Sequence, residues 1–208
     1  MRVIGLTGSI GMGKSTAAAA LRRLGIPVHD ADAAVHRLLR RDRGLIAAIE
    51  AAFPGVTGPD GVDRTALGAK VFNDAAALRG LEALIHPSVR RSETAFLRQA
   101  RAARRPIAVL DIPLLFETGG ETRCDAAMVV AAPRFLQEQR VLARRGMTRE
   151  RLAAIRQGQL SDEEKLQRAD VVIPTGLDRR TALRILKRAL AVLRVSVLPR
   201  RGLRRVRR

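Results

Sequence analysis

Short apolar runs separated by helical patterns extend along most of the chain. Each run is a few residues long and is bounded by glycine, proline or acidic residues, which is typical of buried strands. Continuous apolar strands that alternate with helices indicate a parallel sheet covered on both faces. The sequence therefore predicts an α/β fold with a five-stranded parallel sheet. The five runs are RVIGLTG (2–8), IPVHDAD (26–32), the segment PIAVLD that ends at Asp111, DAAMVVAA (125–132) and ADVVIP (169–174).

Two long helical segments interrupt the predicted sheet. Residues 33–104 contain no strand candidate, and their helical patterns lie on either side of the turn-rich PGVTGPDG. The segment is far longer than an ordinary crossover, so we interpret it as an inserted helical subdomain. Residues 133–168 form a second, arginine-rich helical insertion, which we interpret as a lid. The remaining segments, 1–32, 105–132 and 169–194, would form the sheet core, with a cleft at the carboxyl ends of the strands.

Composition and charge limit the possible partners. The chain has 208 residues, which suits one domain, and 39 basic against 20 acidic residues give a net charge of +19. Such a charge suggests nucleic acid, but nearly all of it is arginine in an alanine-rich chain, and there is no Trp or Tyr to stack on bases. Six arginines lie in residues 200–208. We predict a disordered basic tail at 195–208, which leaves only weak, non-specific nucleic-acid binding open.

The apolar runs and the single cysteine bear on location. No run approaches the roughly 18–20 apolar residues that a membrane helix needs, so no membrane partner is predicted. The start of the chain has no apolar signal segment. Cys124 is the only cysteine, which excludes an internal disulfide and a cysteine metal cluster. Together these features favour a cytoplasmic protein.

Residues 8–15, GSIGMGKS, satisfy the Walker A pattern between a predicted strand and an alanine-rich helix. In such a loop the backbone N–H groups and the helix N-terminus surround phosphates, a lysine reaches the β- and γ-oxygens, and a hydroxyl binds Mg²⁺. Lys14 and Ser15 occupy those two positions. The residues therefore predict a P-loop NTPase three-layer fold that binds a nucleoside triphosphate, without naming the acceptor.

Acidic residues follow two of the predicted strands. Asp30 and Asp32 come after the second strand, where a carboxylate takes the proton of an attacking hydroxyl or holds Mg²⁺ through water. The alternative is that they cap the following helix, and both interpretations hold if one caps while the other faces the cleft. Asp111 ends the third strand in the manner of a Walker B acid, which indicates metal or water contact or, alternatively, a strand-end turn.

Arginine and histidine positions are less informative. Arg140 and Arg144 are four residues apart and would share a helix face, as a lid over a triphosphate requires. In so arginine-rich a chain, a solvated face is the other interpretation. The three histidines, at 29, 36 and 86, show no metal-ligand spacing and are expected in core or surface roles.

Seven segments, which run in order from Arg2 to about Leu193, resemble the dephospho-CoA kinase family. The Walker A loop is shared by a very large superfamily, whereas LEALIHP and PLLFE at these separations are much more specific. The matching segments are GLTGSIGMGKST (5–16), DAD (30–32) with His36, VDRTALGAKVFND (62–74), LEALIHP (81–87), DIPLLFE (111–117), QRVLARRGMTRE (139–150) and DEEKLQRADVVI (162–173).

This resemblance implies ATP-dependent phosphorylation of the ribose 3′-hydroxyl of dephospho-CoA, with Mg²⁺ as cofactor and with CoA and ADP as products. It implies that Asp32 takes the hydroxyl proton, that Lys14 and Arg140 also serve catalysis, and that the 33–104 insertion binds the acceptor. The residues expected to bind ATP are Gly11, Met12, Gly13, Lys14, Ser15, Thr16, Arg140 and Arg144. Those expected near the acceptor are Thr7, Asp32, His86, Leu115, Phe116 and Glu117, and those expected near Mg²⁺ are Ser15 and, through water, Asp32 or Asp111.

Three positions depart from the family pattern. A glycine is commoner where Ser9 stands, a small residue where Met12 stands, and an Asn-containing turn where IPTG (173–176) stands. We expect the loop to tolerate the first two departures because neither position supplies the key side chain.

Two alternatives remain open at this point. One is another small-molecule kinase of the superfamily, acting on a nucleoside monophosphate or on shikimate, and LEALIHP and PLLFE argue against it. The other is a nucleic-acid-binding P-loop protein, against which the absence of Trp and Tyr argues.

Overall fold

The computed structural model describes residues 1–72, 74–176 and 178–195. The chain divides into two compact units, of which the first comprises Met1–His29 with Ala100–Arg208 and the second is Asp30–Gln99. The predicted disordered tail, residues 195–208, lies outside the described residues from position 196 onward. None of the helices in the described ranges is both long enough and apolar enough to cross a membrane.

Strands and helices follow one another in the order that the hydrophobic pattern indicates. The strands are β1 Arg2–Thr7, β2 Val28–Asp30, β3 Thr57–Gly58, β4 Gly61–Val62, β5 Ile107–Asp111, β6 Ala126–Ala131 and β7 Val171–Pro174. The helices are α1 Lys14–Arg23, α2 Ala31–Arg41, α3 Arg43–Ala52, α4 Arg64–Val71, α5 Ala75–Ala102, α6 Arg134–Leu142, α7 Arg149–Gln157, α8 Asp162–Arg168 and α9 Arg179–Val195.

The main sheet has five strands in the order β2-β5-β1-β6-β7. β1 pairs in parallel with β5 and with β6, and β6 pairs in parallel with β7. The register places Leu6 opposite both Asp111 and Met128, so that the carboxyl ends of the central strands meet at one edge. The predicted five-stranded parallel sheet is confirmed, and its switch in strand order at β1 is where such folds bind ligands.

Alternate residues of the central strands pack into two apolar cores, one on each face of the sheet, because successive side chains of a strand point to opposite faces. On one face Ile4, Leu6, Met128 and Val130 join side chains of α1 and α9, among them Leu21, Leu186 and Leu190. On the other face Ala127 and Val129 pack with Leu115 and Phe116. Strands buried on both faces read as continuous apolar runs, which is why the sequence revealed them.

The second unit is a group of helices that start at aspartates. The carboxylates of Asp30, Asp42, Asp63 and Asp74 each accept hydrogen bonds from backbone amides in the first turn of α2, α3, α4 and α5. Such N-caps typically contribute about 0.5–2 kcal/mol each. The core of this unit contains Leu39, Leu45, Ile49, Val56, Val62, Leu67, Val71 and Leu81.

The expectation that residues 33–104 hold no strand is wrong in one place. Thr57 pairs with Val62 and Gly58 with Gly61, which makes a two-stranded antiparallel hairpin within the turn-rich segment. Each strand has only two residues, so there is no alternation of polar and apolar positions for a sequence pattern to show.

Replacing Gly61 by alanine is expected to destabilise the second unit. Gly61 has φ of +99°, and a Cβ there would lie 2.5 Å from the Leu39 carbonyl oxygen and 2.7 Å from Arg40 Cα, both backbone atoms. We expect Gly61→Ala to lower the free energy of unfolding by about 1–3 kcal/mol. The matched control is Gly58→Ala, since Gly58 faces open space, and it should change stability by less than about 1 kcal/mol. Urea denaturation followed by circular dichroism measures both, and equal losses would contradict the steric explanation.

Candidate active site

The Walker A loop leaves β1 at Thr7 and enters α1 at Lys14. Gly11 and Gly13 have φ of +77° and +86°, a conformation that L side chains rarely adopt. A Cβ on Gly8 would lie 2.3 Å from Val130 Cγ2. The loop therefore needs glycine at these positions, both for its backbone conformation and for lack of space. The loop ends at the N-terminus of α1, and the first backbone amides of a helix make a site suited to an anion.

Lys14 and Asp111 form an ion pair beside this loop. The ammonium donates to Asp111 Oδ1 at 2.6 Å, and the Asp111 side chain is only 3% exposed. The pair follows from the sheet, because β5 lies next to β1 and Asp111 is opposite Leu6. Ser15 and Thr16, also predicted to bind ATP, lie exposed in the first turn of α1. The sheet thus places one buried carboxylate beside the Walker A lysine at the end of the central strands.

The segment predicted as a lid contacts the Walker A loop. Gln137 on α6, which is 1% exposed, donates from Nε2 to the Ile10 carbonyl oxygen at 2.9 Å. Arg140 on the same helix donates to the carbonyl oxygens of Thr175 at 2.8 Å and of Gly11 at 3.5 Å. The predicted ATP-binding arginine is therefore fixed against the backbone of the loop.

The expected shared helix face of Arg140 and Arg144 is wrong. α6 ends at Leu142, and Arg144 lies exposed in the following turn, where its amide donates to the Val141 carbonyl oxygen. The chain then turns through Gly146, whose φ is +76°. Helix-forming residues continue past Leu142 in the sequence, so this helix end is imposed by the turn rather than by helix propensity.

The loop after β5 is held by Thr7 and packs into the core. The Thr7 hydroxyl, fully buried, donates to the Pro113 carbonyl oxygen at 2.8 Å. Leu115 and Phe116, expected near the acceptor, are 0% and 5% exposed and belong to the apolar cluster on that face of the sheet. Their neighbour Leu114 is 37% exposed. Leu115 and Phe116 therefore stabilise the fold of the loop and do not form its exposed surface.

Glu117 ends the same loop in a buried ion pair with Lys165 of α8. Lys165 Nζ lies 2.9 Å from Glu117 Oε1, and the lysine side chain is 1% exposed. The Leu160 amide also donates to Glu117 Oε1, at 2.9 Å. Burial raises the pKa of Glu117, but the hydrogen bonds from Lys165 and from backbone amides favour the ionised form more strongly and hold that pKa below its usual value. Glu117 therefore links two segments that are distant in sequence.

Asp32 and His86, both predicted to lie near the acceptor, are in the second unit. Asp30 is the N-cap of α2, since its carboxylate accepts from the Ala33 amide at 2.9 Å, while Asp32 lies exposed in the first turn of that helix. The capping alternative thus applies to Asp30. His86 is exposed on α5, and His36 Nδ1 accepts from Arg64 Nη1 at 3.1 Å.

Sequence reasoning missed several contacts that hold the Walker A loop. Ser9 Oγ donates to Asp162 Oδ1 at 2.6 Å, and the Ile10 amide donates to Gln159 Oε1 at 3.3 Å. Met12 is buried, its sulfur 3.1 Å from the Ala132 amide. The sequence carries no local signal for these contacts, because the partners lie 153, 149 and 120 residues apart in the chain.

Few protein side chains near this loop could bind a divalent cation. In the described parts of the chain no group of three or more His, Cys, Asp and Glu side chains is arranged to hold a metal. Mg²⁺ in kinases is bound through one or two protein oxygens plus substrate phosphates rather than by a protein cage. The exposed Ser15 hydroxyl and the Asp111 carboxylate fit that mode.

Comparisons with known proteins agree with one another over most of the chain. The family model for dephospho-CoA kinase matches residues 2–177. The dephospho-CoA kinase of Rhodospirillum rubrum is 58% identical over 196 residues, which cover 94% of this chain and 93% of that protein. The corresponding protein of Paramagnetospirillum magneticum is 62% identical over 196 residues, covering 94% and 92%.

A solved structure gives the same result for the fold. The dephospho-CoA kinase from Campylobacter jejuni superposes with a TM-score of 0.70 at 25% identity, over 92% of this chain and 96% of that one. The predicted α/β P-loop fold and the family resemblance are confirmed. Because the family match extends from the first strand past the last one, the chain belongs to the dephospho-CoA kinase family, the kinases of the final step of coenzyme A biosynthesis.

Proposed function

We propose that the chain moves the γ-phosphate of ATP to the ribose 3′-hydroxyl of dephospho-CoA, with ATP held in the first compact unit and the acceptor bound by residues of the second. The observation that carries this is the Lys14–Asp111 pair at 2.6 Å beside the Walker A loop. A lysine poised there neutralises phosphate charge, and a buried acid beside it serves a phosphate-bound cation. This arrangement suits phosphoryl transfer.

On the donor side, backbone amides of residues 11–16 would surround the ATP phosphates. Lys14 would exchange its contact with Asp111 for the β- and γ-oxygens, since triphosphate offers more negative charge than one carboxylate. Ser15, with Asp111 through water, would hold Mg²⁺, which supplies charge neutralisation of the phosphates when bound. Cytoplasmic location belongs to the same proposal and is supported by the lone Cys124.

The lid segment 133–168 would contribute charge and exclude water. Arg140 is fixed by the carbonyl oxygens of Gly11 and Thr175, which supports a role beside the phosphates. The guanidinium would stabilise charge that develops on the transferred group. Arg144, exposed in its turn, would be a second phosphate contact.

On the acceptor side, Asp32 would orient the 3′-hydroxyl and accept its proton during in-line attack on the γ-phosphorus. The exposure of Asp32 supports this, because its neighbour Asp30 already caps α2 and leaves Asp32 free of that task. His86 would bind the acceptor. Thr7 and the 115–117 segment would act mainly by fixing the loop after β5, since Leu115 and Phe116 are buried.

Acceptor selectivity provides the direct test of this function. We expect ADP release with dephospho-CoA and none with AMP or shikimate, measured in a coupled assay at saturating MgATP. The product should carry the new phosphate at the ribose 3′ position, which ³¹P NMR resolves. Turnover of AMP or shikimate at a rate comparable with dephospho-CoA would overturn the proposal.

Replacing Asp32 tests the acceptor side. The Asp32→Asn substitution replaces the carboxylate by an amide of the same size that does not accept a proton. The kcat should therefore fall by about 10²-fold or more, while the Kd for ATP stays nearly unchanged. The matched control is Asp60→Asn, another exposed acid of the second unit, which should leave kcat unchanged. Near-normal turnover of the Asp32 variant would remove this residue from the mechanism.

Replacing Lys14 tests the donor side. Lys14→Ala should lower kcat/KM for ATP by about 10²-fold or more, because the phosphate charge loses its neutralising partner. Lys187→Ala, an exposed lysine of α9, controls for loss of one positive charge. Equal effects of the two substitutions would show that Lys14 acts only through the overall positive charge of the protein.

A further inference from the structure

A seven-residue segment makes contacts with both the Walker A loop and the loop after β5. We call residues 159–165 the strap. Toward the Walker A loop, Gln159 accepts from the Ile10 amide and Asp162 accepts from Ser9 Oγ. Toward the other loop, the Leu160 amide and Lys165 both reach Glu117. Alternating residues of the strap thus contact the Walker A loop and the loop after β5.

We propose that Ser9 and Asp162 are positioning residues that hold the first half of the Walker A loop in its phosphate-receiving conformation. This inference rests on the proposed binding of ATP by that loop. Neither side chain touches the transferred phosphate. Their hydrogen bond fixes the backbone ahead of Gly11, and the following residues supply the amides that bind the anion.

The geometry of the Ser9–Asp162 contact supports this role. Ser9 is 6% exposed and its hydroxyl is 2.6 Å from an ionised carboxylate, a charge-assisted hydrogen bond of the stronger class. A glycine at this position would have no side chain with which to make this bond. The Ser9 hydroxyl therefore provides a contact between the loop and α8 that the backbone alone cannot make.

The strap is held in place by contacts on both sides of Asp162. Ser161 and Glu164 form a reciprocal capping box at the start of α8, which fixes Asp162 in the first turn. Three residues later, Lys165 is buried against Glu117. A carboxylate on so fixed a turn restrains its partner, because its own position is set by contacts that do not involve the Walker A loop.

A second contact supports the same half of the loop. Gln137 donates to the Ile10 carbonyl oxygen, and Arg156 of α7 donates to Gln137 Oε1 and to Glu138. Ile10 is therefore bonded at its amide by Gln159 and at its carbonyl by Gln137. With this half already ordered, ATP binding orders fewer residues, so the expected effect of the contacts is on affinity.

The experiment is a double-mutant cycle on the full chain. Ser9→Ala and Asp162→Ala should each raise the Kd for MgATP, measured by titration calorimetry, and the KM for ATP by about tenfold. The kcat should stay within about twofold, because the chemical step makes no use of either side chain. The double variant should lose no more than one single variant, since both remove the same interaction. Asp162→Asn, whose carboxamide oxygen still accepts a hydrogen bond, should lie between the wild type and Asp162→Ala.

Glu163→Gln is the matched control, because it removes one negative charge from the same turn of α8, and its KM for ATP should not change. Additive losses in the double variant, or an equal rise in the control, would overturn the positioning role. So would lower thermal stability with an unchanged Kd, which signifies a purely structural contact. Lys14→Ala separates the two levels of the proposal. If it weakens ATP binding and the Ser9 variant does not, this inference fails alone, and if neither does, ATP binding by the loop fails as well.

Discussion

The lack of space around the Walker A loop is the constraint on which the rest of the first unit depends. A Cβ on Gly8 would meet Val130, one on Gly11 would meet Val141 and Gln137, and one on Gly13 would approach Thr175 to 3.2 Å. These neighbours come from β6, α6 and the end of β7. The loop can keep its backbone open to phosphate only because three different elements enclose its outer surface. The positions of those elements are correspondingly fixed by the glycines, since closely packed interiors leave few voids to absorb a shift.

Lysine is used sparingly in this chain and in particular places. Of the four lysines, Lys14 and Lys165 form ion pairs with carboxylates that are 3% and 13% exposed. An ammonium is a compact, strongly hydrated point charge on a flexible stem, so burying it requires a closely placed carboxylate. Removing one member of such a pair would leave a buried charge without compensation, which costs more than the pair contributes.

The sequence predicted the parts of the fold that repeat a local pattern. Five buried strands and the Walker A loop could be read directly because each is a continuous apolar run or a fixed spacing of glycines. The β3–β4 hairpin, the end of α6 before Arg144 and the Ser9–Asp162 bond could not. The hairpin is too short for a period, the helix end is imposed by a turn, and the bond joins residues 153 apart in the chain. Roles assigned to Asp32 and His86 stay predictions because they concern an absent acceptor.

Because the second unit is one continuous segment, whereas the first needs both ends of the chain, the molecule has a built-in order of assembly. Arg2 of β1 pairs with Ile107 of β5, so during synthesis β1 waits for a partner that is made long after it. At ribosomal speeds of about 5–20 residues per second this delay is roughly 5–20 s. Residues 30–99 are complete well before that and can fold first. During the interval β1 is an apolar strand without its partner β5, and an unpaired strand of this kind is exposed to aggregation until non-local pairing is complete.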